Sequence, residues 1–475
     1  MDNKNDIIVG LDIGTTKIAC FIGQRGDDGK VNILGYGKTE SIGVERGVVM
    51  NIKSTSESIV KAVTMASEKA NVDVAEVYVG IAGQHIKSRQ NLGGIMIPSD
   101  HEYIKEEDIN KLINTQRQIM LSPGEEIIHI FPQTFYVDNE ELSSEIPPVG
   151  VAGKELKANF LIVTGNTANL RNIADSVKRA KLSVKDVVLE PIASSYAVLD
   201  ETSKTAGAAL VDIGGGTTDI AIFHEGVIRH TSVLPLAGNA ITNDIKEGCS
   251  IMKPQAEALK TRFGCCLPQN VNENDIISIP GIHYMPSREI SMKTLAGIIK
   301  ARTVTILEQV AFEIEQSGYA KQLIGGVVLT GGGAKLKNIK ELTEYTTSTN
   351  TRIGLPNEHL DKNSAKEIID PMYATGIGLV LYGIEQSEMA KRERPAEPDP
   401  EMLQRQKETE EFIRKQQEEV KRQKGSETLE HKTTDKRPAG DSTKGRSKNG
   451  GWVDAVSGYF KRVFTEENID SDNDD

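Results

Sequence analysis

Two short runs in this 475-residue chain carry the residue types a polyphosphate needs. The first, Leu11-Asp12-Ile13-Gly14-Thr15-Thr16-Lys17, ends an apolar stretch with a carboxylate, a glycine, two hydroxyls and a cation. The second, Val211-Asp212-Ile213-Gly214-Gly215-Gly216-Thr217-Thr218, repeats the design 200 positions later. Glycine lacks a Cβ and reaches φ > 0, so such turns let backbone N–H groups come close to phosphate oxygens. The threonines add donors and Lys17 adds a point charge. Asp12 and Asp212, each closing its strand, repel a phosphate unless a cation stands between, and Mg2+ held through its waters resolves that conflict. A third run, Leu329-Thr330-Gly331-Gly332-Gly333-Ala334, predicts a strand ending in glycines before a helix, a geometry that admits a flat adenosine or its α-phosphate.

The elements that must hold these turns are legible around them. Ile7 to Gly23 and Ala208 to Gly226 each read as a buried strand, a turn and a second, β-branched strand, an internal repeat that implies two similar lobes. The chain has no GxxxxGK[ST] run, which disfavours a P-loop enzyme. The Rossmann pattern fails as well, because Asp-Ile-Gly-Thr-Thr leads into a strand and not into a helix.

The predicted organisation is an α/β chain of two lobes. Residues 1–83 with 163–205 form the first lobe, and 206–238 with 325–386 the second. Between them lie helical patterns from Ser54 to Asn71 and from Thr167 to Leu182. Residues 84–162 mix strand signals with one amphipathic helix, Ile104 to Met120, and read as an inserted α+β module. Residues 239–324 read as a mainly helical module, with a proline start at Lys253-Pro254 and a long periodic stretch from Ile290 to Ser317. Beyond 386 the composition turns to Glu, Gln, Lys, Arg, Ser and Pro, too poor in apolar residues to offset ordering entropy, so 387–449 is predicted to be a disordered, flexible charged linker. An apolar island at 450–464 and an acidic tail at 465–475 follow it.

A net charge of −12 argues against non-specific nucleic-acid binding. The four cysteines, Cys20, Cys249, Cys265 and Cys266, form no CxxC pair, so reduced cytosolic thiols and no cysteine-based metal site are expected. The start, MDNKND before a strand-length apolar run, lacks the basic region and hydrophobic stretch of an export signal, so export is not expected, and nowhere do eighteen apolar residues run together. His85, His129 and His283 sit in unrelated segments, and structural roles are expected for them.

The motifs together resemble the signature of the actin, heat-shock chaperone and sugar-kinase superfamily. DIGTTK is similar to its first phosphate motif, DIGGGTTD to the second and LTGGGA to the adenosine motif. LEPIASSYAVL (189–199) and YATGIGLVLYG (373–383) are similar to its two connecting motifs. The inserted module, the GNAITNDI run and the apolar tip most resemble the FtsA type of bacterial cell-division protein. The resemblance covers about residues 6–383 and the tip and leaves the linker unmatched.

It implies an actin-like two-lobed ATPase fold that binds ATP and Mg2+ with at most slow hydrolysis. It further implies assembly into filaments on the cytoplasmic face of the membrane at the division site, anchoring of the FtsZ ring, and recruitment of other division proteins through the inserted module. By the same resemblance Glu190 positions the attacking water, Glu257 and Lys260 contact the nucleotide sugar or base, Gly331 to Ala334 hold the adenosine, and Arg302 grips the acidic C-terminal peptide of FtsZ. Each has a plainer reading from the residues alone: Glu190 begins a helix before Pro191, Glu257 and Lys260 are an i,i+3 surface pair, and Arg302 lies on a solvated helix face. Other ATPases of the fold, of shape-determining or pilus-assembly type, and sugar-type kinases are the alternatives. A kinase needs a second substrate pocket with a base, and the sequence shows no signal for one.

In the tip, Trp452, Val453, Val456, Tyr459, Phe460, Val463 and Phe464 fall on one face of a helix. A helix so short is marginal alone in water and orders on a surface. A lipid interface, a partner groove or the protein's own body could each receive it. The long linker favours a separate target, and the resemblance favours membrane lipid. The acidic tail opposes binding to anionic lipid, so many tips along a polymer are expected to act together.

Overall fold

The computed structural model describes residues 6–26, 28–143, 146–281, 286–361, 364–393 and 414. The predicted tip at 450–464 and the acidic tail lie outside the described residues, as does the linker apart from 387–393 and 414.

In the first lobe β1 (Ile8–Ile13), β2 (Lys17–Arg25) and β3 (Val31–Glu40) form an antiparallel meander. A small hairpin, β4 (Val44–Glu45) with β5 (Val48–Val49), leads to α1 (Ile52–Ala70). Asn51 caps that helix by accepting the Ser54 N–H, and Asn71 ends it in the left-handed region at φ 52°. Strand β6 (Glu76–Ile81) then pairs parallel to β1.

The insertion follows as β7 (Lys87–Met96), α2 (Glu106–Gln116), β8 (Glu125–Val137), β9 (Glu140–Glu141) and β10 (Glu155–Asn166). Its antiparallel sheet has the order β7-β10-β8-β9. The sequence-based boundary at 162 falls inside β10, which stays paired with β8 as far as Asn166. The physical reason is that β10 buries both faces. Leu156, Ala158, Phe160 and Ile162 enter the module's own core with Ile104 and Leu112 of the α2 layer, while Leu161 and Val163 enter the first-lobe core. The first lobe closes with α3 (Thr167–Arg179), β11 (Ser183–Leu189), α4 (Glu190–Val198) and α5 (Glu201–Ala206).

The second lobe repeats the scheme with β12 (Ala208–Ile213), β13 (Thr218–His224) and β14 (Val227–Leu234). The helical module comprises α6 (Gly238–Cys249), α7 (Lys253–Phe263), a hairpin of β15 (Ile276–Ile279) with β16 (Arg288–Ser291), and α8 (Met292–Gln316). Ile290 and Ser291, which the periodicity placed in the long helix, belong to β16, because Ile290 pairs with Ile277. Strand β17 (Gly326–Thr330), α9 (Ile339–Thr347), β18 (Thr351–Ile353) and α10 (Ala374–Glu393) complete the fold. Helix α10 runs past Ser387, where composition alone begins the linker.

The two main sheets have the same topology. Their orders are β3-β2-β1-β6-β11 and β14-β13-β12-β17-β18, with matching parallel and antiparallel pairs. Strands β1 and β12 are buried at every position, as expected for central strands covered on both faces. The phosphate-type turns after β1 and β12 therefore issue from the best-packed elements of their lobes. Among the described residues no helix is long and apolar enough to cross a membrane.

Candidate functional site

Both turns fold by the same local rule. Each antiparallel pair closes on a hydrogen bond from the first glycine: Gly14 N–H to Lys17 O at 3.1 Å, and Gly214 N–H to Thr217 O at 2.9 Å. The turns then face each other closely enough that side chains on one require their absence on the other. A Cβ on Gly215 would stand 2.4 Å from Thr16 Cγ2, and one on Gly216 would stand 2.3 Å from Thr15 Oγ1.

Between them lies a cavity of about 50 Å3, lined by Asp12, Gly14 to Lys17, Glu190, Asp212, Gly214 to Thr217, Asp219, Gly331 and Gly332. A larger open groove of about 640 Å3 runs along the start of α3, past Gly124, Thr167, Arg171 and Asp175. It gathers few convergent charges, whereas the smaller cavity gathers Asp12, Lys17, Glu190, Asp212 and Asp219.

Four carboxylates and one lysine meet there. Lys17 Nζ lies 3.1 Å from Asp12 Oδ2. Burial alone would lower the Lys17 pKa, but the pairing with Asp12 outweighs it and the ammonium is held above its ordinary range. Asp212 accepts Ser194 Oγ–H at 2.9 Å from α4 and Thr375 Oγ1–H at 3.3 Å from α10. Burial raises its pKa, while those hydroxyls and Lys17 oppose the rise. Glu190 opens α4, and burial, then Asp219, Asp12 and Asp212, lift its carboxyl well above the usual carboxylate range. Asp219 is lifted in the same direction by burial and then by Asp212. Its Oδ2 accepts Thr217 Oγ1–H at 3.0 Å, and its buried Oδ1 has no hydrogen-bond partner. Among the described residues no three His, Cys, Asp or Glu side chains are grouped to hold a bare metal ion. The set fits a cation that keeps its own waters.

The structure brings most of the residues predicted for the nucleotide site to this cavity. Thr218 is not among its lining, because consecutive strand residues point to opposite faces and its Oγ1 donates to Leu236 O at 2.8 Å. Gly333 and Ala334 are buried in the turn after β17, where a Cβ on Gly333 would stand 2.4 Å from Ile213 Cγ2. Glu257 and Lys260 pair at 2.8 Å beside the second turn: Lys260 Nζ donates to Gly238 O at 3.0 Å, and Gly238 N–H donates to Gly214 O at 3.1 Å. Arg302, on α8, makes a two-point ion pair with Asp244 of α6 at 2.6 and 3.0 Å.

Three residues of the cluster carried no assignment from sequence. Asp219 is the cross-strand partner of Asp212, and hairpin pairing across the second turn is the signal that finds it. Ser194 and Thr375 lie within the two connecting motifs, but only the packing of α4 against α10 brings both to Asp212.

Residues 209–378 match the family model described as Cell division protein FtsA, and residues 83–164 match the model described as SHS2 domain inserted in FTSA. The Cell division protein FtsA of Pseudomonas aeruginosa is 38% identical over 379 residues, covering 80% of this chain and 89% of that protein. The protein of the same name from Bacillus subtilis (strain 168) is 31% identical, covering 80% of this chain and 84% of that one. A solved structure, the PilM-PilN type IV pilus biogenesis complex, shares the fold at a TM-score of 0.58 and 14% identity, over 79% of this chain and 98% of that one. With an actin-like architecture, the inserted module in its place and relatives this similar over four-fifths of its length, the chain belongs to the family of the cell division protein FtsA.

Proposed function

We propose that the chain binds ATP and Mg2+ between its two turns and, so loaded, assembles into filaments on the cytoplasmic face of the membrane at the division site. There it anchors the FtsZ ring and recruits other division proteins through the inserted module. The observation that carries this reading is the convergence of Gly14 to Lys17 and Gly214 to Thr217, from two repeated hairpins, on one cavity with four carboxylates. Lys17, the hydroxyls and the turn N–H groups would hold the phosphates, and Asp12 and Asp212 would hold Mg2+ through its waters. Mg2+ supplies charge neutralisation between carboxylates and phosphates. Gly331 to Ala334 would take the adenosine, with Glu257 and Lys260 alongside.

Glu190, whose carboxyl is lifted by burial and by its acidic neighbours, is suited to accept a proton from water in any slow hydrolysis. Arg302 would take the acidic FtsZ peptide in competition with Asp244, and the tip residues from Trp452 to Phe464 would enter lipid.

Calorimetry tests the clamp. Asp12→Ala and Asp212→Ala should each weaken Mg2+-ATP binding by about a hundredfold, the loss of a charge-assisted contact in a buried site. Unchanged affinity in both variants rejects the clamp. Vesicle co-sedimentation with ATP tests the anchor. Trp452→Glu combined with Phe460→Glu should abolish pelleting and spare ATP affinity, and persistent pelleting removes the tip from the membrane reading.

A further inference from the structure

The inserted module is covalently part of the first lobe, yet strand β8 touches both sides of the cleft. Its ladder with β10 slips at Gln133: Asn159 pairs with Thr134 and Phe160 with Pro132, leaving Gln133 as the extra residue of a bulge. A bulge re-aims a side chain out of the ladder, and a neighbouring proline fits there because no N–H is required of it. Gln133 Nε2 donates to Ile228 O at 2.8 Å and to Arg229 O at 2.9 Å, both on edge strand β14 of the second lobe.

Arg229 answers in the other direction. Only 6% exposed, it donates to Gln133 O and Thr134 Oγ1, each at 3.1 Å, and to Glu225 Oε2 at 2.7 Å. Ser88 of β7 adds a bond from its Oγ to Thr231 O at 2.8 Å. Further along β8, His129 Nε2 accepts the N–H of Leu189 at 3.1 Å, directly before Glu190. That imidazole is held neutral, its pKa lowered to about 4 by burial, which keeps the acceptor nitrogen available.

These contacts are reciprocal, buried and directional. Sliding β14 past the module strands carbonyls and a guanidinium without partners, so the interface is either made or broken and does not deform gradually. We propose that β8 is a strut on which the site depends: Gln133 with Arg229 locks the module to the second lobe, and His129 fixes the start of α4 that presents Glu190. His129 and Gln133 are positioning residues, and the pose of the module and the geometry of the cleft belong to one equilibrium. By linkage, whatever grips the module then changes nucleotide affinity, and nucleotide changes the grip by the same factor. The proposal rests on the nucleotide reading above.

The test uses the full chain, Mg2+-ATP, calorimetry and hydrogen exchange. Gln133→Met keeps the volume and removes both donors. It should lower Mg2+-ATP affinity by about fivefold or more and speed amide exchange in β14 and at the start of α4, with or without nucleotide. His129→Ala should speed exchange at the start of α4, and His129→Gln, whose amide oxygen can accept the Leu189 N–H, should restore it. Leu92→Ser, on an exposed position of β7, should change none of these. Ser88→Ala, a milder cut at the same interface, should shift both readouts in the direction of Gln133→Met by a smaller factor, and it serves if Gln133→Met fails to fold. Folded variants with wild-type affinity and wild-type exchange in β14 and α4 overturn the strut. If the wild-type chain shows no saturable Mg2+-ATP binding, the nucleotide reading fails by itself, and the exchange rates of Gln133→Met alone decide for or against the strut.

Discussion

The turns after β1 and β12 have the same backbone and opposite side chains. In register, Thr15, Thr16, Lys17 and Ala19 of the first stand where the second has Gly215, Gly216, Thr217 and Asp219. The first turn brings bulk, hydroxyls and a cation, whereas the second brings open backbone and an additional carboxylate. Thr15 and Thr16 fill the space the glycines leave, and Lys17, paired with Asp12 of its own turn, is also held charged by Asp212 across the cleft. A repeated element thus became a pair of complementary halves while its hydrogen-bonded frame stayed the same. Closing two such halves on one ligand needs matching shape and charge, and two identical turns would clash or repel.

The comparison breaks most sharply at Gly216. In Gly216→Ala the new Cβ meets the Arg46 Cα at 2.8 Å as well as Thr15 Oγ1, and backbone cannot step aside as a side chain can. Overpacking of this kind costs about 1–3 kcal/mol, so Mg2+-ATP affinity should fall about ten- to hundredfold, and Thr15→Ser should not rescue it. Calorimetry that finds wild-type affinity would show that the turns do not need this closeness.

Gly215→Ala should cost less, because its nearest obstacle is the methyl of Thr16 at 2.4 Å. Thr16→Ser removes that methyl and should return most of the lost affinity, a coupling of about 0.5–3 kcal/mol in a double-mutant cycle. Additive effects would dissolve the claim of side-chain complementarity.

Asp219→Asn sharpens the electrostatic half of the contrast. Burial raises the Asp219 pKa in the folded state, so the fold binds more protons than the unfolded chain at pH above the ordinary carboxylate value. Stability therefore falls as pH rises through the folded pKa, and the cost is fully present above it. The amide keeps an acceptor for Thr217 and removes the charge. Nucleotide-free Asp219→Asn should melt a few degrees higher than wild type near pH 8, with the advantage shrinking as pH falls. A thermal melt with no difference at pH 8 means that the carboxylate is not strained there.

Thr15→Ala is the smallest step. It removes the acceptor of the Gly47 N–H at 3.0 Å and should lower stability by about 0.5–1.5 kcal/mol, read from urea midpoints.

Sequence by itself determined the parts whose causes are local. The repeated strand–turn–strand units, the carboxylates ending β1 and β12, and the caps of α1 follow from neighbouring residues, since hairpin pairing and helix capping are settled within about ten positions. The strand signals and the amphipathic helix within residues 84–162 were legible from their local periodicity, whereas β10 runs past 162 because it serves two cores. What only the tertiary structure decided concerns partners far apart in the chain. Asp212 is held by Ser194 and Thr375, 181 positions apart, because α4 and α10 pack against each other. Thr218 faced away from the cavity because the pleat turned it toward Leu236. Arg302 found Asp244, and the bulge at Gln133 aimed the module at β14. A sequence pattern states which face a residue takes on its own element. Which element lies opposite that face depends on how the lobes pack, and there the buried charges and carbonyls must find their partners.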